Sequence, residues 1–183
     1  PPSSGGLAVA QTLGILQNFE LAALKPTAID ANGGKPTVQG VHLVSEANRL
    51  AYADRDKYVA DTDFVPLPGG SPAKMVDKAY LQQRAALISL SKSLGTAAPG
   101  DLGPVPLGLG APTAENGTTQ VTIVDRRGHV VSMTTTVESA FGAFHMTRGG
   151  FLLNNQLTDF SAAPTDSAGV PIANRVAPGK RPR

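Results

Sequence analysis

The 183-residue sequence predicts an α+β chain, on three observations. Apolar residues recur at helical spacing in three stretches of the first half, and β-branched runs in the second half are broken by Arg126-Arg127-Gly128. Between them, residues 95–117 hold repeated glycines and prolines with no sustained period.

Ser3-Ser4 offers side-chain oxygens to the orphan N–H groups of a first helical turn. The first helix is therefore expected over residues 5–24, facing the core with Val9, Leu13, Leu16 and Leu24 and stopped by Pro26. Residues 25–36 read as loop. A second helix is expected from Thr37 or Val38 to about Tyr58, burying Val41, Val44, Ala47, Leu50 and Ala51. Its charges, Glu46, Arg49, Asp54, Arg55 and Lys57, are spaced as solvated partners on a helix surface and read as structural. After a loop over residues 61–70, Ser71-Pro72 supplies a cap and a proline at the first helical position. That opens a third helix, to about Ser93, through Met75, Val76, Ala79, Leu87 and Ile88. With four prolines, residues 95–117 are expected to be flexible and exposed.

Residues 118–125 then read as a half-buried strand, and residues 129–138 resume the pattern. The two form a hairpin with a three-residue loop in which Gly128 takes the left-handed position. Asp125 then faces His129, and counting back along the ladder sets Thr118 opposite Thr136. Residues 138–150 turn through Phe141-Gly142 and Gly149-Gly150 into a short apolar strand, Phe151-Leu152-Leu153. The polar cluster from Asn154 to Asp159 comes at that strand's end, and residues 164–178 read as a mobile loop.

Thr118 starts a strand directly after Gly117. A threonine hydroxyl is a weak nucleophile unless a base stands beside it. If the Gly117–Thr118 bond were cut, Thr118 would carry an α-amine of pKa about 7.7–8.0, so one residue would supply both nucleophile and base. The same hydroxyl can attack the Gly117 carbonyl, and glycine permits the strained backbone that this needs. Threonine is also an ordinary strand residue, and Asn116-Gly117 an ordinary turn, so the residues by themselves leave both readings open.

Composition narrows the function classes. A hydrophobic share of 41% and a charged share of 16% suit a globular segment, and no run approaches the ~20 apolar residues of a membrane span. The net charge of +2 is scattered, without a basic stripe or interleaved aromatics, which argues against nucleic-acid binding. No cysteine is present, and His42, His129 and His145 are too far apart for a sequence-local metal motif, so neither metal nor cofactor is expected. The chain reads as a piece of a longer one.

The run Thr118-Thr119-Gln120-Val121-Thr122-Ile123-Val124-Asp125, then Gly128, Phe141-Gly142, residues 153–161 and Pro178-Gly179-Lys180-Arg181-Pro182 resemble the start of the small subunit of γ-glutamyltransferases. Pro1-Pro2-Ser3-Ser4-Gly5-Gly6 and the stretch from Glu46 to Arg55 resemble parts of that family's large subunit. The resemblance implies that residues 1–117 end a large subunit and residues 118–183 begin a small one. It also implies membership of a four-layer αββα N-terminal-nucleophile hydrolase sandwich. In that setting Thr118 would take the γ-glutamyl group as an ester and Thr136 would orient its hydroxyl. Asp159 would hold the substrate α-ammonium, with Gln156 and Glu138 as neighbouring acceptors. The acceptor would be water, an amino acid or a peptide, residues 162–177 would form a lid, and the enzyme would be periplasmic or extracellular. The chain departs from many relatives at Gln120, where they have His, at Glu138, where they have Asn, and at Thr158, where they have Asp. The family's carboxylate-binding arginine would lie before Pro1, and its paired serines and oxyanion glycines after Arg183, so this piece by itself is expected to be inactive. An acylase acting on glutaryl or β-lactam side-chain amides and a non-catalytic binding module are the competing readings.

Overall fold

The computed structural model describes residues 5–26, 28–30, 33–111 and 117–183, which leaves the Ser3-Ser4 cap outside the described residues. Helix α1 spans Gly5–Leu16 and buries Ala8, Gln11, Thr12, Ile15 and Leu16, an unbroken i, i+3, i+4 stripe. This corrects the expected face, since Val9 and Leu13 are 58% and 57% exposed. The polar pair turns inward because it has partners there. Gln11 Nε2 donates to Asp54 Oδ2 and to the Met75 carbonyl, both at 3.0 Å, and Thr12 Oγ1 donates to Asn48 Oδ1 at 2.9 Å. The helix also stops early. The Asn18 amide donates to the Gly14 and Ile15 carbonyls at 3.0 and 3.1 Å, satisfying groups that the next turn would have bonded, and a 3-10 turn comes next at Leu21–Leu24. Within the expected loop, β1 (Ile29–Asp30) pairs antiparallel with β2 (Gly33–Gly34).

Helix α2 spans Val38–Tyr58, as the sequence predicts, and Thr37 Oγ1 caps it by accepting the Gly40 N–H at 3.0 Å. Ala47, Leu50 and Ala51 are buried with Leu43 and Tyr58, whereas Val41 and Val44 are 50% and 45% exposed. Two of its supposedly solvated charges are buried. Glu46 accepts from Ser93 Oγ at 2.7 Å and the Leu94 N–H at 2.6 Å, and pairs with Arg49 Nε at 3.2 Å. Burial works against its charge, but these donors outweigh it and hold the carboxyl below its usual range. Asp54 accepts from Tyr80 Oη at 2.5 Å and the Gly100 N–H at 2.7 Å, and lies 3.1 Å from Arg84 Nη2. A buried charge so fully bonded fixes how the helices pack, because removing one partner would strand the others.

The expected third helix is two pieces. Ser71 Oγ accepts the Ala73 N–H and opens a 3-10 turn, Pro72–Val76. Asp77 then sits in an extended conformation and accepts the Tyr80 N–H at 3.0 Å, capping α3 (Lys78–Ala85). Ile15, Leu16, Leu43, Ala47, Leu50, Tyr58, Met75, Leu81 and Ile88 form the main core. Residues 95–111 are mostly exposed, as expected, but touch the helices at a few points. Arg84 Nη2 donates to the Ala98 carbonyl, Tyr58 Oη donates to the Gly100 carbonyl, and Leu102 is buried. Residues 112–116 lie outside the described residues.

Strands β3 (Thr119–Val124) and β4 (Val130–Thr135) pair antiparallel from Thr119 opposite Thr135 to Val124 opposite Val130. The turn is the one the sequence predicts. Asp125 N–H donates to the His129 carbonyl at 3.0 Å, Asp125 Oδ1 accepts the Arg127 and His129 N–H groups, and Gly128 has φ 85°. The hairpin is not half-buried, however. Only Val121 in it is partly covered, because no other described element packs on either face. The expected strand at residues 151–153 is a looser pairing, with one antiparallel bridge, Met146 to Leu152, and a hydrogen bond from Leu153 N–H to the His145 carbonyl. A Cβ at Gly142, whose φ is 60°, would collide with the Leu153 carbonyl oxygen, so this turn requires glycine.

The two halves of the chain meet away from the hairpin. Gly108 N–H donates to the Pro171 carbonyl at 2.9 Å, and Gly108 forms a parallel bridge with Ile172. Ala60, Val65 and Ala173 make a small second apolar cluster. Within residues 164–178, most of residues 164–171 are exposed, while Ile172, Ala173 and Asn174 are buried. Beside them Asp61, 1% exposed, accepts from Arg181 N, Nε and Nη2 at 2.8, 2.9 and 2.6 Å. The Arg181 side chain and N–H hold this carboxyl far below the ordinary range. Among the described residues no helix is long and apolar enough to cross a membrane.

Candidate functional site

Thr118 is exposed and lies one residue before β3, after Gly117 in a left-handed conformation with φ 99°. Thr136 is half-buried and lies one residue after β4. Extending the observed register one step sets these two threonines opposite each other, where opposed Cβ atoms are about 4.5–5.5 Å apart. Gln120 shares the Thr118 face through the two-residue period and bonds across the ladder, donating to Ser132 Oγ and accepting from Thr134 Oγ1.

Thr136 also shapes the turn after β4. Its Oγ1 accepts the Glu138 N–H at 2.9 Å, and the chain reverses there, with Glu138 at φ 76° and Ala140 at φ 41°. Side chains other than glycine seldom adopt this region, at a cost of about 1–2 kcal/mol each, and such residues gather where a side chain must be aimed. Asn155 secures the turn by accepting the Ser139 N–H through Oδ1 at 3.1 Å, while its own N–H donates to the Val137 carbonyl at 3.3 Å. The single 3-10 turn Gln156–Asp159 is thereby drawn against the end of β4.

Three polar side chains meet in the space this leaves. Gln156 Nε2 donates to Glu138 Oε2 and to Asp159 Oδ2, both at 3.0 Å, so one amide group bridges two carboxylates. All three residues are partly buried. Thr158 Oγ1 donates to the Asn155 carbonyl at 3.0 Å, with Glu138 Oε1 at 3.4 Å. The Asp159 carbonyl accepts from Nδ2 of the fully buried Asn174 at 2.7 Å. Two carboxylates with an amide between them form an acceptor-rich, negatively charged corner, and chemically such a corner fits a cation with several N–H donors.

The structure thus joins Glu138, Gln156 and Asp159 by direct hydrogen bonds and links Thr136 to Glu138 through the backbone, while Thr118 and Thr136 each lie one residue outside the paired strands. Sequence reasoning gave Asn155 and Asn174 no role. Asn155 could have been singled out within the cluster Asn154-Asn155-Gln156, whereas Asn174 has no local signal, since its partners come from distant turns. A groove of about 730 Å³ lies elsewhere, between Phe64, Leu67, Val105, Leu107 and Pro171, and offers no nucleophile. Among the described residues no group of three or more His, Cys, Asp or Glu side chains could hold a metal ion.

Comparison with known proteins adds to this geometry. The family model described as Gamma-glutamyltranspeptidase matches residues 1–183. The chain is 36% identical over 193 residues to a glutathione hydrolase proenzyme of Escherichia coli strain K12, covering 100% of this chain and 29% of that protein. It is 38% identical over 183 residues to the acylase ACY 1 proenzyme of Pseudomonas sp. strain V22, covering 99% and 28%. A crystal structure of Helicobacter pylori gamma-glutamyltranspeptidase superposes in part, with 34% identity, a TM-score of 0.45, and coverage of 55% of this chain and 26% of that one. The chain spans less than a third of the length of these curated relatives.

Proposed function

Because this chain belongs to the gamma-glutamyltranspeptidase family, we propose that it is the stretch of a γ-glutamyl-transferring proenzyme that spans the junction between its two mature chains. Residues 1–117 end the larger chain and residues 118–183 begin the smaller. The Thr118 hydroxyl attacks the Gly117 carbonyl, the Gly117 C–N bond breaks as the acyl group moves to oxygen and frees the Thr118 amine, and water then cleaves the ester to leave a Gly117 carboxylate and a free Thr118 hydroxyl. In the mature enzyme that amine takes the hydroxyl proton as the oxygen attacks the γ-carbonyl of glutathione or another γ-glutamyl compound. The leaving amine departs with a proton, and water, an amino acid or a peptide then accepts the glutamyl group. Thr136 orients the nucleophile, and Glu138, Gln156 and Asp159 receive the donor's α-ammonium. The hairpin belongs to one sheet of a four-layer αββα sandwich that the rest of the proenzyme completes, and the enzyme works in the periplasm or outside the cell.

The observation that carries this reading is the bridging of Glu138 and Asp159 by Gln156, just beyond Thr136 in the turn that Thr136 supports. The word proenzyme in both relatives' names supports the processing step. Mass and N-terminal sequencing of the full-length product tests it, with two chains expected, the smaller starting at Thr118. An intact Gly117–Thr118 bond in the mature full-length protein would instead favour a non-catalytic homologue. The acylase relative supports a second reading, transfer from glutaryl-type amides, which has no use for an ammonium site. Turnover of glutathione against a glutaryl amide separates the two.

The partnership of the threonines has its own test. Thr136→Val keeps a β-branched side chain but removes the hydroxyl. It should cost about 1 kcal/mol of stability, for the Glu138 N–H left without its acceptor, and lower kcat about tenfold or more. An unchanged kcat would show that Thr136 serves only the turn.

A further inference from the structure

We infer that Asp61 is the anchor of an interchain clasp, by which the larger mature chain holds the smaller one through Arg181. The inference rests on the proposed cut between Gly117 and Thr118. Once that bond is broken, nothing covalent within this segment ties residues 118–183 to those before them, and contacts alone must replace the tether.

Asp61 is built for this work. Its carboxylate is 1% exposed and receives both the Arg181 fork, at 2.9 and 2.6 Å, and the Arg181 backbone N–H at 2.8 Å, across 120 positions of sequence. A two-pronged guanidinium contact to a buried carboxylate is directional, and losing Arg181 would strand the Asp61 charge away from solvent, whereas Arg181 itself is 56% exposed. Arg181 Nη2 also reaches Asp63 Oδ2 at 2.5 Å, closer to solvent. Lys180 next to it does not compete for Asp61, because its buried ammonium donates to the Ala173 and Arg175 carbonyls. A second pair accompanies the first, with Arg183 Nη2 2.7 Å from Asp56 Oδ1. Asp56 lies in the last turn of α2 and Asp61 just beyond it, both basic residues belong to the run from Pro178 to Arg183, and the apolar cluster of Ala60, Val65 and Ala173 lies alongside.

The test uses mature full-length protein carrying Asp61→Asn, with the two chains separated by size-exclusion chromatography and denaturing gels across a urea series. Cleavage at Thr118 should proceed, and the urea concentration at which the smaller chain separates should fall by roughly 0.5–1 M. Separation at the parent's urea concentration would overturn the clasp while leaving the cut in place. A parent that stays one chain would overturn the cut, and the interchain role with it. If Asp61→Asn protein fails to accumulate, Arg181→Lys reads the contact from the other side, since it keeps the charge and gives up the fork. It should shift separation in the same direction by a smaller amount, and no shift would overturn the proposal.

Discussion

Thr118→Ala in the full-length protein should leave one uncut chain and lower γ-glutamyl turnover by at least about a thousandfold. A methyl group can neither attack the Gly117 carbonyl nor form an acyl ester, so processing and catalysis should be lost together. Denaturing gels read the first and release of an aniline from a γ-glutamyl anilide reads the second. Normal cleavage in the variant would mean that another group cuts the chain, and would remove the reason for assigning the nucleophile to Thr118. The exposed position of Thr118 and the left-handed Gly117 before it make a packing defect a poor explanation for a large effect, because neither residue supports the core.

Asp159→Asn should reduce the specificity constant for γ-glutamyl substrates by roughly ten- to a hundredfold, since a carboxylate bonded to an ammonium contributes about 1.5–3 kcal/mol. A glutaryl analogue has no ammonium and should lose much less. The decisive quantity is the ratio of the two penalties in otherwise identical full-length enzymes. Equal penalties would mean that Asp159 supports the turn, for which its Gln156 bond and the Asn174 bond to its carbonyl are means enough, and the glutamyl assignment would lose its physical basis.

The legible parts of this fold are the ones fixed locally. Thr37 announces the start of α2, and Asp125 with Gly128 sets the hairpin turn, so helix bounds and strand register came from a few neighbouring residues. Asp77 carried an equally local signal, a capping carboxylate inside an apolar run, and reading that run as one helix overlooked it. The inward turn of Gln11 and Thr12 and the burial of Glu46 and Asp54 depend on partners 26 to 64 residues away, which no periodicity registers. At the candidate site, the closeness of Glu138 to the Gln156–Asp159 turn was readable from strand ends, while Asn174 and the Asp61–Arg181 contact come from long-range closure of the chain.

The bare hairpin has a practical consequence for anyone handling these 183 residues by themselves. The outer sides of β3 and β4 offer unpaired backbone donors and acceptors, and Ile123, Val131 and Met133 stand in water. Such a ribbon is a template for another copy of itself, without the inward charges or prolines that usually discourage edge-to-edge growth. Colloidal behaviour of the excised segment would therefore report on its open edges, and its solubility should improve when the missing sheet neighbours are restored.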